Sequence, residues 1–128
     1  MTPSNPLKLQ GVLPILPTPF TDEGAIDEVS LRRLIDFELN VGVHGVSILG
    51  FMGEAHRLSN TERKQVVETV VTQAAGSFPT WVGVLAFGTA GAIEQAREAQ
   101  DLGAPVSYTH LRAHETEADL VCRRLLEK

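Results

Sequence analysis

Apolar residues along this chain fall into two alternating patterns. Short continuous runs at 12–16, 45–49 and 81–85 read as strands buried on both faces. Longer stretches with helical spacing lie between and after them. The first, 27–40, puts Leu31, Leu34, Ile35 and Leu39 on one stripe, with Asp27 as N-cap and Gly42 as the stop. The second, 60–75, follows an S-x-x-E capping box made by Ser59 and Glu62. Its stripe is Val66, Val67, Val70, Val71 and Ala74, and Gly76 and Pro79 end it. Such a β-branched run is a poor helix former, so packing must hold it. The third, 89–102, aligns Ile93, Ala96, Ala99 and Leu102 and closes at Gly103.

Strand and helix thus alternate three times, with strand starts roughly 33 to 36 residues apart, the length of a βα unit. That order predicts an α/β fold with a parallel sheet covered by helices. Three units fit either a doubly wound sheet or the first part of a (β/α)₈ barrel, and periodicity does not choose between them.

Both architectures bind ligands at the C-terminal ends of their strands. Just past the second strand stands Gly50-Phe51-Met52-Gly53-Glu54. Glycines there let the backbone approach a ligand, and exposed amides in such a turn form an anion-binding nest. A tight connection with no ligand fits the same residues equally well. Glu54 suits a structural role, accepting amides or a hydroxyl near the turn, better than a catalytic one. His56 has the chemistry of an acid, base or donor beside a carboxylate, although a lone loop histidine is more often a surface or packing residue. Arg57 offers a bidentate fork to a substrate acid, against the simpler reading of a solvated salt bridge. His44 precedes the second strand, on the face that serves stability in a barrel.

Three motifs in register carry a resemblance. They are Leu16-Pro17-Thr18-Pro19-Phe20 with Asp22-Glu23-Gly24, the Gly-x-x-Gly-Glu turn, and Leu58-Ser59-x-x-Glu62-Arg63. Together, across about residues 8–104, they resemble the dihydrodipicolinate synthase/N-acetylneuraminate lyase family, pyruvate-dependent class I aldolases and lyases. The resemblance implies a (β/α)₈ (TIM) barrel of which this chain holds the N-terminal three βα units. It implies a Schiff-base lysine on the sixth strand and a relay tyrosine on the fifth, neither of which lies in this chain. It also implies carboxylate binding by the turn at Gly50, Phe51, Met52 and Gly53. No cofactor is implied, the partner is a small 2-keto acid, and homo-oligomers, often tetramers, are expected.

Two departures matter. The family commonly places two hydroxyl residues where this chain has Phe51 and Met52, so no side-chain hydroxyl joins a proton relay there. Their amides still suit a carboxylate, and simple packing at the barrel mouth is the competing reading. After the third strand a Gly-Thr-Gly would be typical, and this chain reads Gly83-Val84-Leu85. Both point away from dihydrodipicolinate synthase itself and from sialic acid lyase, towards a divergent 2-keto acid aldolase or dehydratase. A non-catalytic α/β ligand-binding or regulatory module is the alternative, with the turn as a mere connection and the fourth strand beside the first.

The stretch 106–128 breaks the pattern. No strand alternation is expected after Ala104. Residues 106–116 instead resemble the conceptual translation of a transposase-type sequencing adapter, and 119–128 resemble its distal end, with Arg124 where leucine is expected. Residues 1–105 are therefore read as partial barrel and 106–128 as a non-native tail. His110, His114 and Glu115 invite a metal reading, but the order is not H-E-x-x-H and no third ligand is evident. An amphipathic helix around Leu120, Val121, Leu125 and Leu126 competes with the adapter reading.

Bulk properties change little. The 128 residues carry a net charge of −5, which gives no electrostatic reason to expect nucleic acid or an anionic membrane as partner. One cysteine, Cys122, excludes an internal disulfide framework within this chain. No apolar run approaches the roughly 18 residues of a membrane helix, and 1–10 lack a signal-peptide pattern. A cytoplasmic protein is expected.

Overall fold

Capping chemistry sets where each helix begins. In the computed structural model, which describes residues 10–109, helix α1 (Glu28–Val41) starts where the Asp27 carboxylate accepts from the Ser30 amide at 3.0 Å. Gly42 ends it in the left-handed conformation, φ 83°, with its N–H donating to Glu38 O. Helix α2 (Asn60–Ala74) carries the full capping box. Glu62 N donates to Ser59 Oγ at 3.2 Å, and Ser59 N donates to Glu62 Oε2 at 2.8 Å. Replacing Ser59 by alanine is expected to cost about 1 kcal/mol, read as a lower urea midpoint at unchanged slope. Helix α3 (Thr89–Asp101) begins at Gly88 without a side-chain cap.

The strands are β1 (Val46–Ile48), β2 (Thr80–Val84) and β3 (Val106–Thr109). All pair in parallel in the order β1-β2-β3, with Val46 opposite Thr80 and Trp81 opposite Val106. The expected first strand at 12–16 does not form a regular ladder. Pro14 lacks a donor that a ladder with β1 needs, so the segment makes an isolated parallel bridge, Ile15 to Ser47. Its contacts to β1 are nevertheless in register, with Leu16 N to Ser47 O at 2.8 Å and Ser47 N to Pro14 O at 2.9 Å.

Residues 106–109 form a strand where no strand alternation was expected. They alternate half-buried Val106 and Tyr108 with exposed Ser107 and Thr109, and they add to the free edge of β2. Val-Ser-Tyr-Thr is rich in β-branched and aromatic side chains, which suit a pleated edge. The strand runs onward beside β2 and not back beside 12–16, which is barrel order. The metal reading of His110, His114 and Glu115, the terminal helix and Cys122 all lie outside the described residues.

The core lies between sheet and helices, where Leu31, Ile35, Val46, Ile48, Leu49, Val66, Val70 and Val82 are almost fully buried. The α1 stripe packs as expected, with Leu34 and Leu39 partly buried behind it. In α2 the buried set adds Arg63 and Thr69 to the valines. The stripe expected for α3 is corrected: Ala99 is its buried residue, while Ile93 stands 46 % exposed. Among the described residues α3 ends the helix layer beside α2, and Ile93 is left uncovered.

Candidate functional site

The turn after β1 is shaped by backbone conformation before any side chain contributes. Leu49 and Glu54, on either side of 50–53, both adopt left-handed φ, 56° and 53°, which non-glycine residues rarely take. Leu49 is 1 % exposed, so packing holds it there at a conformational cost of about 1–2 kcal/mol. Gly53 is buried, and a Cβ on it would meet Leu49 N at 3.1 Å and Leu49 Cα at 3.2 Å. The turn therefore folds back on its own first residue.

Two anchors hold it. Thr18 Oγ1, buried, donates to Gly53 O at 2.7 Å across 35 residues of sequence. Glu54 N donates to Phe51 O, and Glu54 O accepts from Arg57 N, leading into the single 3₁₀ turn Ala55–Arg57. Among the described residues the amides of Phe51, Met52 and Gly53 donate to no protein acceptor. Three consecutive free donors at a strand's C-terminal end suit an anion.

The predicted residues divide clearly. Gly50 and Gly53 are buried in the turn, whereas Phe51 and Met52 project outward, 74 % and 59 % exposed. His56 stacks on Phe51, with ring centroids 6.0 Å apart and 23° between planes. Glu54 pairs with Arg57 at 3.3 Å in an exposed contact, the solvated salt bridge that competes with substrate binding for Arg57. His44 sits at the opposite end of β1. Its Nδ1 accepts from Val12 N at 2.9 Å and its own N–H donates to Val12 O, so it ties 12–16 into the sheet.

Thr18, Arg63 and Gln95 are the residues that motif reading left without a role. Thr18 and Arg63 stood inside quoted motifs, and their long-range partners are what give them meaning. Arg63 Nη2 donates to Gly83 O at 2.9 Å, and Gln95 Oε1 accepts from Leu85 N at 3.2 Å. Burial pulls the Arg63 guanidinium below its ordinary pKa, with the charge of Glu98 opposing the shift. A guanidinium nonetheless stays protonated in a protein. A groove of about 520 Å³ between α2 and α3, bordered by Lys64, Glu94, Arg97 and Asp101, lies on the helix side and includes no residue of the turn. Among the described residues no cluster of His, Cys, Asp and Glu is placed to hold a metal. No described helix is long and apolar enough to cross a membrane.

A sequence model of the dihydrodipicolinate synthetase family matches residues 8–109. The chain belongs to that family. The 4-hydroxy-tetrahydrodipicolinate synthase of Bartonella quintana is 42 % identical to it over 96 residues, 75 % of this chain and 33 % of the relative. The chain thus spans about a third of the length of the curated relatives it matches. The solved dihydrodipicolinate synthase of Rhodopseudomonas palustris superposes with a TM-score of 0.81 at 35 % identity, covering 91 % of this chain and 38 % of that one. A chloride-inhibited dihydrodipicolinate synthase from Acinetobacter baumannii, solved with pyruvate, also gives 0.81, at 28 % identity and covering 91 % and 41 %. Dihydrodipicolinate synthetase family members are lyases with TIM-barrel folds, and the described residues are the N-terminal part of such a barrel.

Proposed function

We propose that this chain carries the carboxylate-binding corner of a Schiff-base lyase, aldolase or dehydratase acting on pyruvate or another 2-keto acid. The observation that carries the reading is the run of three free amides, Phe51 to Gly53, at the C-terminal end of β1. A carboxylate accepting from such amides forms charge-assisted hydrogen bonds, which are short and directional. Holding the acid there fixes its keto carbon for attack by an amine supplied from a later strand. The amine adds to the carbonyl, water leaves, and the protonated imine draws electrons from the adjacent carbon, so a carbon–carbon or carbon–oxygen bond breaks. The protonated imine is the electron sink, accepting the pair from the breaking bond as an enamine, so this chemistry needs no metal or organic cofactor.

Phe51 and Met52 give the site its individuality. Neither offers a hydroxyl to a proton relay, which separates it from dihydrodipicolinate synthase and favours a divergent 2-keto acid enzyme. Glu54 and His56 act by supporting the turn, the first through Arg57 and the second by stacking on Phe51. The homo-oligomeric state common in the family is carried over as part of the proposal. The missing hydroxyls also favour a second reading, a non-catalytic ligand-binding module that keeps the turn and has lost the chemistry.

The test uses the full-length product of the locus, with pyruvate trapped by borohydride. Gly53→Ala crowds Leu49 and is expected to raise the half-saturating pyruvate concentration about 10-fold. An unchanged half-saturation removes the turn as the carboxylate site. No trapping at all on the unsubstituted protein favours the module.

A further inference from the structure

Behind the Gly50–Glu54 turn lies a buried cation that the proposed chemistry does not use. Arg63, on the first turn of α2, is 6 % exposed and is not within ion-pair distance of any described carboxylate. Glu98, the acid that acts on it most, is engaged by Lys64 Nζ at 2.8 Å. Burying a guanidinium without an anion is expensive, and an apolar side chain of similar size would fill the space at less cost. The residue type therefore calls for a reason beyond packing.

What Arg63 grips is the carbonyl of Gly83, at 2.9 Å. Gly83 is the point where β2 touches the root of the turn. A Cβ there would lie 2.3 Å from Leu49 O and 3.1 Å from Gly50 N, so the two backbones are in direct contact. Displacing Gly83 displaces the Leu49 carbonyl and the Gly50 amide with it. Gln95 holds the same strand end from α3 through Leu85 N. Helices α2 and α3 thus fix β2, and β2 fixes the turn. Arg63 and Leu49 also line one small cleft.

We propose that Arg63 is a positioning residue for the anion-binding turn, acting through Gly83 O and the Leu49–Gly50 backbone. This rests on the reading of 50–53 as the carboxylate site. A positioning role predicts weaker keto-acid binding in a protein that still folds, because the lysine chemistry lies elsewhere in the barrel.

The experiment is pyruvate-dependent borohydride trapping on the full-length product, resolving half-saturation from limiting rate. Arg63→Met is expected to raise half-saturating pyruvate about 10-fold with the limiting rate within about 2-fold. Arg63→Lys keeps a cation but not the planar fork, and is expected to recover part of the loss, to about a 3-fold rise. A purely structural arginine would lower the melting temperature and the yield of active protein without moving half-saturation. Unchanged half-saturation in folded Arg63→Met overturns the proposal, as does unchanged half-saturation in Arg63→Lys should the methionine variant not fold. Failure of both variants to fold overturns it too. Gly53→Ala separates the two layers. If it shifts half-saturation and the Arg63 variants do not, only the positioning role falls. If it shifts nothing, the site reading falls as well.

Discussion

The 128-residue chain expressed alone is expected to trap no pyruvate under borohydride and to self-associate, whereas the full-length product of the locus traps one pyruvate per chain. The described lysine is unfit for the role. Lys64 lies on the helix layer, and its hydrogen bond and attraction to Glu98 raise its pKa, which keeps the amine protonated and non-nucleophilic. The sheet formed by the described residues is also open on two sides. Among the described residues β3 pairs only with β2, and 12–16 pairs only with β1. Such edges are templates for association between chains. Phe87, 86 % exposed, adds apolar surface at the strand ends, and the buried Trp81 indole N–H has no acceptor among the described residues. An orphaned buried donor costs about 1–3 kcal/mol, a large share of a small domain's stability. Intact-mass analysis after reduction reads the adduct, and light scattering reads the association. An adduct on the 128-residue chain would overturn the expectation. Resequencing the locus belongs to the same test. The genomic frame is expected to diverge at about residue 106, and a frame encoding Tyr108-Thr109-His110-Leu111-Arg112 would sink the adapter origin of the tail.

Local signals carried far along this chain, and they gave out where contacts are distant. The Asp27 cap, the Ser59–Glu62 box and the valine stripe of α2 depend on residues within a few positions of one another, so spacing exposes them directly. The segment 12–16 looked like a strand because it is apolar, but Pro14 removes a donor that continuous pairing requires. Strand β3 was missed for a different reason. Val106-Ser107-Tyr108-Thr109 does alternate, but four residues are too short a run for periodicity to set apart from a loop, and pairing with β2 is what makes it a strand. The site divides in the same way. The Gly-x-x-Gly-Glu turn is legible as a motif, whereas the bond from Thr18 to Gly53 joins residues 35 positions apart and the bond from Arg63 to Gly83 joins residues 20 apart. Arg63 sat in an apparent helix-start motif, where an exposed charge is the ordinary expectation, and only the fold shows it turned inward.

Gly83→Ala is expected to be among the most damaging single-atom additions available in the described residues. The added methyl would stand 2.3 Å from Leu49 O and 2.8 Å from Leu49 C, and both are backbone atoms that no rotamer change can move aside. Relief requires separating β1 from β2 or pulling Leu49 out of its buried left-handed conformation. The first breaks the parallel pairing of Ile48 with Val82, and the second exposes one of the most buried leucines. Overpacking in such a setting costs about 3 kcal/mol or more. Gly42→Ala is the control. Its φ of 83° is equally awkward for an L side chain, but nothing lies within 4 Å of the added atom. That variant is expected to lose about 1 kcal/mol through backbone strain alone. Urea unfolding of both variants in the full-length product checks the order, and pyruvate trapping follows the consequence for the site. In whatever fraction of Gly83→Ala folds, the turn is displaced and half-saturating pyruvate rises, while Gly42→Ala, at the far end of α1, binds as the parent does. Equal losses of stability in the two variants would mean that the close approach of Gly83 to Leu49 does not govern the site.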